Sequence, residues 1–143
     1  MDIFTKSKRS EVMSRIRSKE NESTELKVLA LLKEFGITGW RRDYALFGRP
    51  DITFPKLKVA IFVDGCFWHG CSLCWKKPKS NKKFWIQKIE KNRKRDKKVT
   101  RQLRLKGWSV IRIKECRLKK YPLLQIKRIQ HILSNRALMR TRV

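Results

Sequence analysis

The chain is poor in acidic residues, with 12 Asp and Glu against 38 Lys and Arg and a formal net charge of +26. This charge is far larger than solubility requires, so we expect a polyanion as the binding partner. The basic residues are spread from Lys6 to Arg142, which argues against a single disordered basic tail. A hydrophobic content of 41% and five Trp also argue against disorder and favour a folded core.

Long apolar runs are also missing. No segment approaches the roughly 18 apolar residues of a membrane span, and the first residues lack the apolar core of a signal peptide. We therefore expect an intracellular, cytoplasmic protein without a membrane partner. The sequence has no internal repeat and no linker, and its length suits one hydrophobic core. We predict a single domain over residues 1–143.

Cysteine is scarce, and three of the four cysteines fall in one short segment. In a reducing compartment, four cysteines favour a metal site or catalysis over two disulfides. Cys66-x4-Cys71-x2-Cys74 and the distant Cys116 supply four thiolates, the number that closes a tetrahedral structural zinc site. A redox Cys-x2-Cys pair is an alternative, but it leaves Cys66 and Cys116 without a role. A site in which His69 replaces one thiolate is another.

Hydrophobic periodicity predicts a mixture of helices and strands. Helices are expected at residues 22–35, ended by Gly36, at about 81–106, ended by Gly107, and at 120–143. Strands are expected at 40–46, 51–54, 59–63 and 108–113, with a hairpin link at 55–58. Residues 7–17 suit a short amphipathic helix lying against phosphates, although a frayed basic terminus explains them equally well.

Three of the scarce carboxylates lie at informative positions. Asp51 opens one predicted strand and Asp64 closes the next. If these strands pair antiparallel, both carboxylates lie at the same end of the hairpin, within reach of one metal ion. A structural turn before Gly65 is the alternative role of Asp64. Glu25 lies in line with the apolar stripe of the first helix, so it either precedes the buried part or points into a site.

The long central helix carries polar residues on its inward face. Its stripe consists of Trp85, Ile89, Asn92, Asp96, Val99 and Leu103. Polar groups on such a face must be paired or must face a cavity. Lys88 and Arg95 are close enough on the helix surface to join them. In the alternative interpretation the helix is rotated and these polar residues are solvated.

The ordered motifs resemble the very-short-patch repair (Vsr) endonucleases, a family of mismatch-directed DNA nickases. The resemblance is carried by Gly48-Arg49-Pro50-Asp51 and by Val63-Asp64-Gly65-Cys66-Phe67-Trp68-His69-Gly70. Segments within residues 13–18, 81–96, 107–110 and 115–116 match the family pattern in the same order. The resemblance therefore covers about residues 10–118.

This resemblance implies a restriction-endonuclease-like, three-layer α/β/α fold with a central mixed sheet. It also implies Mg²⁺-dependent phosphodiester hydrolysis in double-stranded DNA, with nicking at a T:G type of mismatch. Asp51 matches the family's Mg²⁺ ligand at the scissile phosphate, His69 the general acid or base, and Glu25 an acidic neighbour. Polar helix positions around the site are matched by Lys88, Asn92 and Asp96.

The resemblance also assigns the zinc and DNA contacts. The family's structural zinc ligands are matched by Cys66, Cys71, Cys74 and Cys116, with Cys71 standing where the best-known members have His. Phe67 and Trp68 match aromatic residues that insert into DNA beside a mismatch. Residues 1–20 are expected to form a basic segment that contacts DNA. The further expected DNA contacts are Met13, Arg15, Arg17 and Arg49.

The chain departs from the family pattern at one place. The mismatch nickases carry Thr-His before Gly-Cys-Phe-Trp, and this chain has Val63-Asp64. The change removes a proposed catalytic histidine and adds a carboxylate opposite Asp51, so Asp64 becomes a candidate second Mg²⁺ ligand. A restriction- or defence-type endonuclease without mismatch specificity is therefore an alternative. A non-catalytic zinc-stabilised DNA-binding module and a basic ribosome-associated protein are two others.

Overall fold

A computed structural model describes residues 24–66 and 79–141 of the chain. In these residues one sheet runs in the order β1 (Arg41–Arg42), β2 (Ile52–Phe54), β3 (Val59–Asp64) and β4 (Ser109–Lys114). The helices are α1 (24–34), α2 (Lys82–Leu105), α3 (Glu115–Lys120) and α4 (Pro122–Thr141). Within the described ranges, no helix combines the length and apolar character needed to cross a membrane.

The sheet is mixed, as predicted. β1 pairs antiparallel with β2, β2 pairs antiparallel with β3, and β3 pairs parallel with β4. The first five residues of β3 are all buried, because helices cover both faces of this central strand. The apolar run at 59–63 is therefore confirmed as a buried strand.

Helices pack on both faces of the sheet, which makes this an α/β fold in three layers. On one face, Val99 and Leu103 of α2 pack against Phe62 of β3 and Val110 of β4. On the other face the core is formed by α1, α3 and α4 with the opposite sides of the strands. Its buried helical residues are Val28, Leu29, Leu32, Leu118, Ile126 and Ile129. In α4 the buried face is formed by Ile126 and Ile129, three residues apart in the sequence.

Two glycines end their helices as predicted. Gly36 follows α1 with φ +66°, and Gly107 follows α2 with φ +90°. Both values lie in the left-handed region, which glycine adopts without a Cβ penalty. After Gly36, the N–H of Ile37 donates to the carbonyl of Leu32 at 2.9 Å, closing the end of the helix.

One expectation about secondary structure was wrong, and one helix was missed. The predicted strand at 40–46 is reduced to Arg41–Arg42, because Asp43 adopts a positive φ of 51° and turns the chain out of the strand. The short helix α3 was not predicted. It begins directly after β4 and buries Leu118, one apolar residue among five polar, charged or thiol side chains, so its sequence has little amphipathic signal.

Candidate active site

The turn before β2 places Asp51 at the edge of the sheet. Gly48 and Arg49 both have positive φ, 83° and 51°, and the N–H of Arg49 donates to the carbonyl of Leu46 at 3.1 Å. The N–H of Asp51 donates to the carbonyl of Ile61 at 3.0 Å. Its carboxylate Oδ2 accepts a 2.7 Å hydrogen bond from the N–H of Val63. The orientation of the Asp51 side chain is therefore held by the backbone of β3.

Asp64, the last residue of β3, lies at the same end of the hairpin as Asp51. Ile52 pairs with Ile61, so the chain entering β2 meets the end of β3. The Asp64 carboxylate accepts two hydrogen bonds from Nη1 of Arg112, at 2.9 and 3.2 Å. The hairpin geometry expected from the sequence is thus present, and the structure adds a guanidinium beside the second carboxylate.

The polar residues of α2 face the sheet. Asn92 and Asp96 are partly buried between turns that bury Ile89 and Val99. The backbone carbonyl of Asp96 accepts a hydrogen bond from Nη2 of Arg112 at 3.2 Å. The side-chain Oδ1 of Asp96 lies 3.8 Å from Nη1 of the same arginine. The predicted orientation of the stripe is therefore correct, and the rotated-helix alternative is wrong.

A cavity of about 570 Å³ lies between the turn before β2, the end of β3 and α2. Its lining includes Arg49, Asp51, Asp64, Asn92, Asp96 and Arg112. Lys88 is exposed on α2 and is not part of this lining. The structure therefore brings together four of the seven residues expected at the catalytic site and leaves Lys88 outside the cavity.

Glu25 lies in a second cavity, of about 590 Å³, that shares Arg49 and Asp51 with the first. Its carboxylate Oε1 accepts a hydrogen bond from Nε of Arg42 at 3.0 Å. Asp43 also lines this cavity. Asp51 thus lies at the boundary between two cavities, with Glu25 on the α1 side and Asp64 on the α2 side.

The donor set of the first cavity suits Mg²⁺. Carboxylate oxygens from one or two residues, completed by water and substrate phosphate, are the usual protein ligands of this ion. Within residues 24–66 and 79–141, no three His, Cys, Asp or Glu side chains form a metal-binding group. Asp51 and Asp64 are therefore the candidate carboxylate donors, and Asp96, which also lines the cavity, does not complete a group of three within the described residues.

Two of the four expected zinc ligands come together. Cys66 follows β3 and Cys116 lies in the first turn of α3, 50 residues away in sequence. The N–H of Cys116 donates to Sγ of Cys66 at 3.3 Å. The parallel pairing of β3 and β4 produces this approach, because both strands end at the same edge of the sheet.

The remaining predicted site residues lie outside the residues that the structure describes. They are Met13, Arg15, Arg17, Phe67, Trp68, His69, Cys71 and Cys74. Their assignments stay predictions from the sequence.

Arg112 was missed by the sequence analysis. A signal was present, because the charged Arg112 stands between Ile111 and Ile113 in the predicted strand. Its guanidinium carbon lies 4.2 Å from the centre of the Phe62 ring, and its Nε donates to Oγ1 of Thr100 at 2.8 Å. Arginine at such a position indicates a buried partner, but the partner is not visible in the sequence.

Comparison with known proteins identifies the family. The family model of the DNA mismatch endonuclease Vsr matches residues 1–76. The chain belongs to the Vsr family. It is 46% identical over 120 residues to the type II nicking enzyme V.NmeAIP of Neisseria meningitidis, covering 82% of this chain and 84% of that protein.

Two other relatives have similar coverage. The type II nicking enzyme V.HpaIIP of Haemophilus parainfluenzae is 40% identical over 114 residues, covering 78% of this chain and 81% of the relative. The DNA mismatch endonuclease Vsr of Escherichia coli is 35% identical over 120 residues, covering 82% of this chain and 76% of the relative. As a member of the Vsr family, the chain is a DNA endonuclease.

Proposed function

We propose that this chain is a Mg²⁺-dependent endonuclease that nicks double-stranded DNA, with a restriction-endonuclease-like fold and one structural zinc. The observation that carries the proposal is the position of Asp51 and Asp64, which line one cavity at the end of the β2–β3 hairpin. The relatives named as nicking enzymes support cleavage of one strand. A DNA substrate also favours a location at the nucleoid in the cytoplasm.

Asp51 is the main candidate for holding Mg²⁺, with Asp64 as the second ligand. Mg²⁺ supplies charge compensation and an activated water for phosphodiester hydrolysis. The hydrogen bond from the N–H of Val63 restrains the orientation of the Asp51 carboxylate, so little reorganisation is required when a cation is bound. Asn92 and Asp96 add polar groups to the opposite wall of the cavity.

His69 is the proposed general acid or base. A histidine titrates near neutral pH and can pass a proton at the scissile phosphate. It follows Asp64 by five positions in the sequence, directly after the end of β3. Only four residues of sequence therefore separate His69 from the candidate ligand Asp64.

Basic residues beside the cavity supply the proposed DNA contacts. A neighbouring groove of about 510 Å³ along α2 is lined by Lys97, Arg101, Arg104 and Arg112. Arg49 lines both cavities at Asp51. Lys and Arg at this density attract phosphates through release of counterions. The DNA backbone is therefore the proposed partner of this groove, and the DNA contacts of residues 1–20 stay a prediction from the sequence.

We further propose that the chain acts at a T:G mismatch in very-short-patch repair. The support is the match to the mismatch endonuclease family and the aromatic pair Phe67 and Trp68. Aromatic wedges unstack a base step, and the cost is lower where a mismatch has already weakened it. A nicking or restriction-type endonuclease without mismatch specificity is the second candidate, because Val63-Asp64 replaces the family's Thr-His.

The proposed structural zinc is held by Cys66, Cys71, Cys74 and Cys116. The observation that supports it is the N–H of Cys116 donating to the sulfur of Cys66, since such a donor stabilises a thiolate. Four thiolates would close the coordination sphere and connect the segment after β3 to the start of α3.

The decisive experiment is nicking of a supercoiled plasmid and of T:G and fully paired oligonucleotide duplexes, with Mg²⁺ and with EDTA. Asp51→Asn is expected to eliminate nicking while DNA affinity stays equal or rises, because a negative charge near phosphates is lost. Glu90→Gln, which removes an exposed carboxylate elsewhere on α2, is the matched control and should be fully active. Full activity of Asp51→Asn would reject the site, and equal rates on both duplexes would reject mismatch specificity.

A further inference from the structure

Arg112 connects its own strand, β4, to the two elements that carry Asp64 and Asp96, β3 and α2. From β4 it donates to Asp64 on β3, and on α2 it donates to the carbonyl of Asp96 and to Oγ1 of Thr100. The guanidinium also lies over the ring of Phe62. Five separate contacts therefore determine where this side chain lies, and three of them do not involve the Asp64 carboxylate.

The Arg112 guanidinium is the cation between two carboxylates of the cavity wall. Nη1 lies 2.9 Å from Oδ1 of Asp64 and 3.8 Å from Oδ1 of Asp96. The three side chains are only 13–21% exposed, so water screens their charges incompletely. Both oxygens of Asp64 lie within hydrogen-bond distance of the same nitrogen. A divalent cation that binds Asp64 must therefore share these oxygens with Arg112 or displace it.

We propose that Arg112 is a positioning residue that holds Asp64 in the metal-free site and competes with the divalent cation for it. The proposal rests on the proposed function, in which Asp64 is the second Mg²⁺ ligand. Arg112 neutralises the carboxylate and keeps it at the cavity when no metal is present. The same positive charge lowers the affinity of the site for Mg²⁺.

The contacts of Arg112 on α2 allow this exchange without loss of the arginine from the site. Thr100 and the Asp96 carbonyl hold Nε and Nη2 whether or not Asp64 is bound to Nη1. Release of Asp64 therefore costs one charged contact and leaves the guanidinium anchored in the cavity wall. A purely structural ion pair would instead affect folding stability without affecting the affinity for metal.

The test is calorimetric titration of the purified full-length chain with Mg²⁺, and separately with Ca²⁺, in the absence of DNA. Arg112→Gln should bind the cation about tenfold more tightly than wild type, because a unit charge next to a divalent ion is removed. Arg112→Lys keeps the charge but cannot make the same set of contacts, so we expect binding about threefold tighter. Arg117→Gln removes the same charge from an exposed residue of α3, which packs on the other side of the sheet, and should change the affinity less than about twofold.

Thermal unfolding of the same proteins provides a second measurement. Without metal, Arg112→Gln should unfold at a lower temperature than wild type, since the ion pair between Arg112 and Asp64 is lost. Added Mg²⁺ should raise its unfolding temperature more than that of wild type, because stabilisation by a ligand grows with affinity. If Arg112→Gln does not fold, the comparison of Arg112→Lys with wild type decides the question.

The outcomes separate this inference from the proposed function. Saturable Mg²⁺ binding with equal affinity in wild type and both Arg112 variants would overturn the role of Arg112 and leave the metal site intact. No saturable binding in any protein, together with nicking in EDTA, would overturn both proposals. In an Asp64→Asn background, Arg112→Lys should no longer change the affinity for the cation. A change in affinity that persists there would show that Arg112 does not act through Asp64.

Discussion

Gly48 provides a quantitative test of how the turn before Asp51 packs on α2. Its φ of +83° lies in the left-handed region, which costs a residue with a Cβ about 1–2 kcal/mol. A Cβ at this position would also overlap Cγ1 of Val99 and lie 3.3 Å from two other Val99 carbons. Overpacking of this kind costs about 1–3 kcal/mol. Gly48→Ala should therefore lower the free energy of unfolding by about 2–5 kcal/mol.

Urea unfolding of two variants separates the backbone cost from the steric cost. Gly107→Ala is the matched control, because Gly107 has φ +90° and an added Cβ there meets nothing within 4 Å. This control should lose only about 1–2 kcal/mol. A Val99→Ala background removes the overlap with Cγ1 and leaves only the 3.3 Å approach to the Cβ of residue 99. Gly48→Ala should then cost little more than about 1–2 kcal/mol. Equal losses in Gly48→Ala and Gly107→Ala would refute the close packing of this turn on α2.

The remaining predictions test the other parts of the site. Cys116→Ser should lower zinc content and stability together, as measured by elemental analysis and thermal unfolding. Wild-type protein that contains no zinc after purification without chelators would contradict this. His69→Ala should slow nicking by about 10²–10⁴-fold with DNA affinity retained, and a wild-type rate would remove it from the mechanism. Glu25→Gln should change stability by less than about 1 kcal/mol, because its partner Arg42 is 40% exposed, and should still reduce single-turnover nicking. Asp64→Asn should raise the Mg²⁺ concentration needed for half-maximal nicking, and an unchanged metal dependence would reject its role as a ligand.

Local patterns along the chain were sufficient to predict most of the elements that carry the site. The spacing of Trp85, Ile89, Val99 and Leu103 predicted α2 and the face that it buries. The apolar run at 59–63 predicted the central strand, and the hairpin link at 55–58 placed Asp51 and Asp64 at one end of it. These features depend on residues that are neighbours in sequence, so periodicity and turn chemistry determine them.

Contacts between distant segments were decided only by the tertiary structure. The strand at 40–46 had a suitable pattern, but it ends at Arg42 because the chain turns at Asp43 with a positive φ. The parallel pairing of β3 and β4 across α2 was not visible in the sequence. It brings Cys116 to Cys66, two cysteines that the sequence analysis assigned to one site without showing which strand pairing joins them.

The position of Arg112 depends entirely on this long-range register. Arg112 lies opposite Phe62 in the parallel pair, and this register directs its side chain to the face that carries Asp64 and α2. A shift of one residue in the pairing would turn Arg112 toward the opposite helical layer. The sequence alone showed a charged residue in an apolar strand. The tertiary structure decided its partner, because register is selected by the packing of both faces of the sheet at once.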